Sequence, residues 1–224
     1  MRTTKFPQRA TKSRRVPTFA LIRQMWESGC SKQMTTHAAQ GTIPRVNNRD
    51  ANPNASSHDR IRAAILTISD KGSRGERTDQ SGPALSRWLS ERGVEVAVTA
   101  MLADEQALIA SVLQQWSDSG DTDLILTTGG TGVSPRDVTP EATVQVLQRI
   151  IPGFSEAMRA ASLAKTPFAM ISRGVCGNRY RTLILNLPGN PTAAVENLEA
   201  VWPAVPHAIR KLQGDPSDCV PSPK

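Results

Sequence analysis

From Arg62 onward the chain alternates short apolar runs, polar loops and stretches with helical spacing. Ala63-Ala64-Ile65-Leu66-Thr67-Ile68 is a continuous apolar run that stops at Ser69-Asp70, the pattern of a strand buried on both faces. A polar loop follows over Lys71–Thr78. Leu85, Trp88 and Leu89 then fall at helical spacing within 81–92, with Gly93 as the stop. Val94–Val98 alternates as a second strand. A helix is expected to open at Asp104, with Leu108, Ile109, Val112, Leu113 and Trp116 on its apolar face and Gly120 at its end. Asp123–Thr128 reads as a third buried strand running into glycines. A helix is expected from about Thr139, where Pro140 and Glu141 suit a first turn. Another is expected over roughly Gly153–Ala164. Two more strands are predicted at Phe168–Ser172 and Thr182–Leu187, and a last helix from after Pro191 to about Leu212. Strands alternating with helices predict an α/β domain with a mostly parallel sheet covered on both faces. Ligands in such folds sit beyond the carboxyl ends of the strands, so the loops at Ser69-Asp70, Thr127–Gly132 and Pro188–Pro191 are expected to line one crevice.

Residues 1–60 lack this texture. They hold 11 Lys or Arg against Glu27, Asp50 and Asp59, whereas the other 164 residues hold 16 bases against 17 acids. The net charge of +7 is therefore a property of this extension. It reads as a disordered tail, as translation assigned from a start too far upstream (Met34 being an alternative), or as an organellar transit peptide, because it is Arg-rich and poor in acids. Phe19–Ile22 is too short an apolar core for a secretory signal. The expected organisation is an extension over 1–60, a domain over 61–213 and a short tail over 214–224. No run of 18 apolar residues offers a membrane span. Cys30, Cys176 and Cys219 have neither metal-site spacing nor a disulfide pattern, and a reduced compartment is the default. With His37, His58 and His207 the only histidines, imidazole chemistry has little material.

Chemistry concentrates in the loops. In Thr127-Thr128-Gly129-Gly130-Thr131-Gly132, glycines would let backbone N–H groups approach phosphate oxygens, or would simply allow a tight turn at positive φ. No GK[ST] follows, so this is not a Walker loop, nor is it the dinucleotide GxGxxG. Arg136 is suited to neutralising a phosphate and Asp137 to holding magnesium or orienting a nucleophile, against the plainer reading that Asp137 or Thr139 caps the next helix. Asp104-Glu105 carries the same ambiguity. Ser172-Arg173-Gly174 and Asn186–Pro191 could present amides and hydroxyls to a ligand or could only shape turns.

Taken in order, Ile68-Ser69-Asp70, the TTGGTG of 127–132, the RDVTPEAT of 136–143, the PGF of 152–154, the SRG of 172–174 and the NLPGNP of 186–191 resemble the molybdopterin adenylyltransferase family. The resemblance covers about two thirds of the chain and leaves the extension outside. It implies a three-layer α/β/α, MogA/MoaB-like fold, typically a homotrimer. It implies transfer of AMP from Mg-ATP to the terminal phosphate of molybdopterin, with Mg²⁺ accompanying ATP, no structural metal, and a cytoplasmic location, organellar import through the basic extension being the alternative. The family's two important carboxylates map onto Asp104 and Asp137, as catalytic groups and as Mg²⁺ ligands. Thr128, Gly129, Gly130, Thr131, Gly132 and Arg136 map to the nucleotide phosphates. Ser69, Asp70, Ser172, Asn186, Pro188 and Gly189 map to the pterin side. Ala103 stands where the family usually has proline, which loosens the turn before Asp104 but keeps the acid. Phosphoryl chemistry of this kind needs positioning and charge neutralisation rather than a covalent nucleophile, which suits a chain poor in histidine.

Three alternatives are weighed. A paralogue of the same fold could bind the pterin without adenylylating it, against which stand the NLPGNP loop and the TDQSGPAL of 78–85. The downstream molybdenum-insertion enzyme, a possible partner, carries extra domains for which 224 residues leave no room. A nucleic-acid-binding protein would rest on the basic extension alone, which has little aromatic interleaving.

Overall fold

The computed structural model describes residues 60–217. The readings made for the extension, its alternative start and the last residues of the C-terminal tail lie outside that range. Strand β1 (Arg62–Ile68) leads through a one-turn helix α1 (Asp70–Ser73) and α2 (Ser81–Ser90) to β2 (Glu95–Leu102). Then follow α3 (Gln106–Asp118), β3 (Leu124–Thr128), α4 (Thr139–Val146), β4 (Arg149–Ile150) and α5 (Pro152–Leu163). A 3-10 turn (Pro167–Ile171), β5 (Cys176–Arg179), β6 (Thr182–Leu187), α6 (Pro191–Val201) and α7 (Val205–Leu212) complete the chain.

One sheet runs in the order β2-β1-β3-β6-β5-β4. β2, β1, β3 and β6 are parallel, while β5 and β4 add an antiparallel edge. The period-two alternation of side chains divides the core into two layers. Ala63, Ile65, Leu124, Leu126, Leu183 and Leu185 face α2, α5, α6 and α7. Ala64, Leu66, Ile68, Ile125 and Ile184 face α3 and α4. This is the α/β/α sandwich expected from alternating elements, and it explains why β1, β3 and β6 are apolar throughout: both faces of each are covered.

Register places the loops. Thr67 lies beside Thr128, and Thr128 beside Leu187. The chain therefore leaves β1 at Ser69, β3 at Gly129 and β6 at Pro188 on one level. From β1 the chain crosses to β2 on one side, whereas β3 leads to β6 on the other, so these loops open at a switch point of the sheet.

Two expectations are corrected. Phe168–Ser172 is not a strand: Pro167 opens the 3-10 turn, Thr166 Oγ1 accepts from Phe168 N at 3.3 Å, and Phe168 and Met170 stand 77% and 71% exposed. The sheet position beside β6 is taken instead by β5, whose Cys176-Gly177-Asn178-Arg179 has no apolar alternation to announce it. A side chain at Gly177 would run into the Arg149 carbonyl, so close pairing with β4 depends on the glycine. The last helix is not continuous either. A 3-10 turn at Trp202–Ala204 separates α6 from α7, where Pro203 and Pro206 supply no backbone N–H to carry a helix through.

Candidate active site

At the end of β1, Ser69 caps α1 by accepting from Gly72 N at 3.0 Å. Asp70 and Asp104 then clasp each other: Asp70 N donates to Asp104 Oδ2 and Asp104 N donates to Asp70 Oδ1, both at 3.1 Å. Arg136 reaches across from the loop after β3 and grips both Asp70 oxygens, at 2.9 and 2.8 Å. Asp104 is thus no helix cap. α3 begins at Gln106 after Glu105, without a side-chain cap, and the Asp104 carboxylate faces the β1 loop. The acids differ electrostatically. The Arg136 hydrogen bonds hold the Asp70 carboxyl below its ordinary value. Burial, and then the charges of Asp70 and Asp137, push Asp104 above its own.

The glycine turn has a steric reason for its composition. Gly129 and Gly130 have φ of 102° and 62°. A Cβ on Gly129 would enter the Ile68 carbonyl, and one on Gly130 would strike Thr139 Oγ1 and come within 2.7 Å of Asp104 Oδ1. Gly129 N donates to Leu187 O at 3.2 Å, but the N–H groups of Gly130, Thr131 and Gly132 donate to no protein acceptor among the described residues. Successive undonated N–H groups in a loop with positive φ make an anion-binding concavity. Neither Asp137 nor Thr139 caps α4, which follows Val138 without a side-chain cap. Asp137 Oδ2 accepts from Ser134 N at 2.8 Å, and Thr139 Oγ1 donates to Gly129 O at 3.0 Å. Both hold the loop rather than the helix.

The three loops expected to line one crevice do meet in one, and the glycine loop separates it from a second cavity. On one side is a cleft of about 460 Å³ lined by Asp70, Lys71, Arg77, Asp79, Asp104, Asp137, Thr128, Gly129 and Gly130, with Ser69 and Gly189. On the other is a cavity of about 250 Å³ lined by Thr131, Gly132, Arg159, Ser172, Asn186 and Pro188, with apolar Met158, Phe168 and Ile171. The two residue sets drawn from the motifs are therefore each divided between the cavities: Ser69, Asp70 and Gly189 join the glycines in the cleft, while Thr131 and Gly132 face the side of Ser172. Arg136 lines neither and spends its guanidinium on Asp70.

Asn186 shows how a polar residue near a site is consumed by the fold. Its amide nitrogen donates to Thr127 Oγ1 and Thr143 Oγ1, both at 2.9 Å, and its oxygen accepts from Val175 N at 3.2 Å. What remains toward the cavity is one lone pair of Oδ1. Thr128 likewise donates its hydroxyl to Pro188 O at 2.7 Å.

Motif reading singled out none of Lys71, Arg77, Asp79 or Arg159. Asp79 accepts from Ser81 N and Gly82 N, at 2.9 and 3.0 Å, and from Thr67 Oγ1 at 2.7 Å, and so fixes the start of α2 against β1. An Asp just before a helix was the available signal. Lys71 and Arg77 form no ion pair among the described residues, and only the fold brings them to the cleft. Among the described residues no three His, Cys, Asp or Glu converge on a metal position. Cys176 is buried with its thiol pushed up to about 11, chiefly by burial, and donates nothing to either cavity.

Comparison with known proteins agrees with the motif order. Residues 64–207 match the family described as "Probable molybdopterin binding domain". The chain belongs to this molybdopterin-binding domain family. The molybdopterin adenylyltransferase of Helicobacter pylori (strain ATCC 700392 / 26695) is 43% identical over 157 residues, which cover 69% of this chain and 89% of that protein. That of Escherichia coli (strain K12) is 40% identical over 168 residues, covering 69% and 86%. Among solved structures, the molybdopterin biosynthesis enzyme MoaB of Thermus thermophilus superposes with a TM-score of 0.66 at 52% identity, covering 70% of this chain and 99% of that one. The Mog protein of Mycobacterium ulcerans gives 0.64 at 40%, covering 68% and 99%. The molybdopterin-binding domain here thus has the MogA/MoaB fold, and both of its cavities are lined by residues of the matched segment. No helix among the described residues is long and apolar enough to cross a membrane.

Proposed function

We propose that this protein is a molybdopterin adenylyltransferase of molybdenum cofactor biosynthesis, a nucleotidyltransferase that moves AMP from ATP to the terminal phosphate of molybdopterin. The observation that carries the reading is a single glycine loop with undonated N–H groups standing between a charged cleft and a cavity of mixed apolar and hydroxyl character. Two substrates meeting at phosphorus need such an arrangement, and relatives about 40% identical bear this activity in their names.

In this reading the triphosphate lies in the cleft and the pterin in the cavity. A phosphate oxygen of molybdopterin forms a bond to the α-phosphorus of ATP, the bond to the bridging oxygen breaks, and pyrophosphate departs with the electron pair. The attacking oxygen is already ionised, so no general base is required. Backbone N–H groups of Gly130, Thr131 and Gly132 face the transferring phosphate. Lys71 and Arg77 offset the charge of the departing pyrophosphate, a task that Arg136, paired to Asp70, shares only through the field around it. Thr131, Gly132, Ser172, Asn186 and Pro188 bound the pterin, with Asn186 acting mainly by fixing the ends of β3 and β6. Ser69, Asp70 and Gly189, mapped to the pterin by motif, act on the cleft side.

The donor set fits Mg²⁺ held jointly with ATP. Mg²⁺ takes one or two carboxylates together with phosphates and water rather than an all-protein cage, and burial, then the charges of Asp70 and Asp137, already disfavour ionised Asp104, a strain that a cation relieves. When bound, the ion supplies charge neutralisation at the phosphates. Asp104 and Asp137 would hold it, and the Asp70–Arg136 pair keeps Asp104 in place. A homotrimer, a cytoplasmic location and delivery of the product to a molybdenum-insertion enzyme belong to the same reading, supported by the family resemblance, as does treating 61–213 as the catalytic unit.

The test is adenylyl transfer by the purified chain with Mg-ATP and molybdopterin, following the adenylylated pterin. Product that falls by about 100-fold in Asp137→Asn is expected for an electrostatic group acting in the transition state. Pterin binding without product would assign the chain to the non-adenylylating paralogues.

A further inference from the structure

Arg173 joins the two cavities and has no role in the reading above, on which the following rests. Its neighbours Ser172 and Gly174 line the pterin-side cavity, where Arg159 Nη1 holds their carbonyl oxygens at 3.5 and 3.3 Å. Its own backbone and side chain point the other way. Arg173 N donates to Thr131 O at 2.9 Å, Nε to Gly132 O at 2.6 Å and Nη2 to Asp137 O at 2.7 Å, while Nη1 pairs with Glu141 on the first turn of α4. One residue thus fastens four points of the segment that carries the undonated N–H groups and the Asp137 carboxylate. The Thr131 carbonyl it engages shares a peptide unit with the Gly132 N–H, so that undonated group is held pointing away from Arg173. Only a planar fork with donors in three directions meets this geometry; an ammonium is a point charge that reaches one or two of the acceptors.

We propose that Arg173 is a positioning residue for adenylyl transfer: it locks the loop 131–141 to the wall of the pterin cavity, so that the transition-state groups of the cleft are set in register with the bound pterin. The chemistry predicts a loss in turnover rather than in binding. Each substrate still has its own cavity, but misplacement of reacting groups by a fraction of an ångström to an ångström lowers the rate by up to about 100-fold.

The experiment uses the full chain and compares Arg173→Ala, Arg173→Lys and Glu141→Gln with the wild type. It measures kcat and KM for both substrates, and amide hydrogen exchange over residues 131–141 without ligand. Arg173→Ala is expected to lower kcat by at least about 10-fold with both KM values within about twofold, and free guanidinium at millimolar concentration should restore several-fold of the lost turnover. Arg173→Lys should be impaired almost as much. Glu141→Gln removes one exposed partner of four and should change kcat by no more than about twofold. Exchange over 131–141 should accelerate in Arg173→Ala while β1 and β3 stay protected. Wild-type turnover in Arg173→Ala, or a loss that tracks the folded fraction and ignores guanidinium, overturns the proposal. Should the wild type itself form no product, adenylyl transfer is the reading that fails, and unchanged exchange in Arg173→Ala would then dispose of the tie independently.

Discussion

The two sides of the glycine loop are built on different principles. In the cleft, charge is abundant and partly restrained: Asp70 is clamped by Arg136, Asp104 is strained by burial and then by its acidic neighbours, and Lys71 and Arg77 form no ion pair among the described residues. In the cavity beyond Thr131 most polar groups are already satisfied within the protein, as Asn186 shows, and Met158, Phe168 and Ile171 contribute apolar wall. The cleft leaves part of its donors and charges uncommitted, among them the N–H of Gly130 and the side chains of Lys71 and Arg77. The cavity spends most of its polar groups on rigidity and leaves shape, which suits the flat heteroaromatic body proposed for it. The loop between belongs to both, and its glycines allow the backbone to serve each side without a side chain in the way.

This contrast predicts separable losses. The largest is expected at Asp104: Asp104→Asn should lower kcat about 100-fold while leaving the pterin dissociation constant within about twofold, read from single-turnover transfer and a direct binding titration. Equal loss of pterin affinity would mean that the two cavities are not independent. A smaller effect is expected for the cations. Lys71→Ala combined with Arg77→Ala should raise the KM for ATP by about 10-fold, two exposed charge contacts at roughly 0.7 kcal/mol each, and the difference from wild type should shrink as salt rises. An effect on the pterin KM instead would reverse the assignment of the cleft.

The smallest and sharpest test is pH. Asp104 has a raised pKa, so activity that needs its carboxylate should grow as pH rises through that value. Its contribution to stability has the opposite sense, present below the ordinary carboxylate range and lost as pH rises through the raised pKa. For Asp70, held low by Arg136, stability is present above the ordinary range and lost as pH falls through the depressed value. Asp70→Asn removes one of the charges that raise Asp104, so the acidic limb of the kcat profile should move to lower pH. An unmoved limb would show that burial alone sets the Asp104 ionisation.

Reading along the chain serves some elements better than others. β1, β3 and β6 announce themselves because both faces are covered and nearly every position is apolar or threonine. α2 and α3 announce themselves by helical spacing, and Asn190 with Pro191 marks the start of α6, where the Asn190 side chain accepts from Ala193 N. β5 and β4 are invisible for the same physical reason in reverse. They sit at an edge and are short; β5 owes its place to pairing with β6, and β4 to pairing with β5, with Gly177 at that contact. Phe168–Ser172 reads as a strand because apolar residues cluster there, yet the turn exposes Phe168 and Met170. Local apolarity cannot say whether a sheet neighbour is free.

The site divides along the same line. The order of loop motifs carried the family, and the glycines, Asp104 and Asp137 were legible because backbone approach and charge impose residue types that little else can replace. Sequence alone therefore determined an α/β sandwich with its loop motifs at the carboxyl ends of the parallel strands, and it located the acids and the glycine turn that line the cleft. Only the tertiary structure decided that a second cavity lies beside the expected crevice, that Arg136 is committed to Asp70, that Asn186 is consumed inside the fold, that Lys71 and Arg77 reach the cleft, and that Arg173 ties the loop to the cavity wall. Those are questions of which donor finds which acceptor across tens of residues, and hydrogen-bond partners at such separation are set by strand register and layer packing, not by any pattern a local stretch of chain can display.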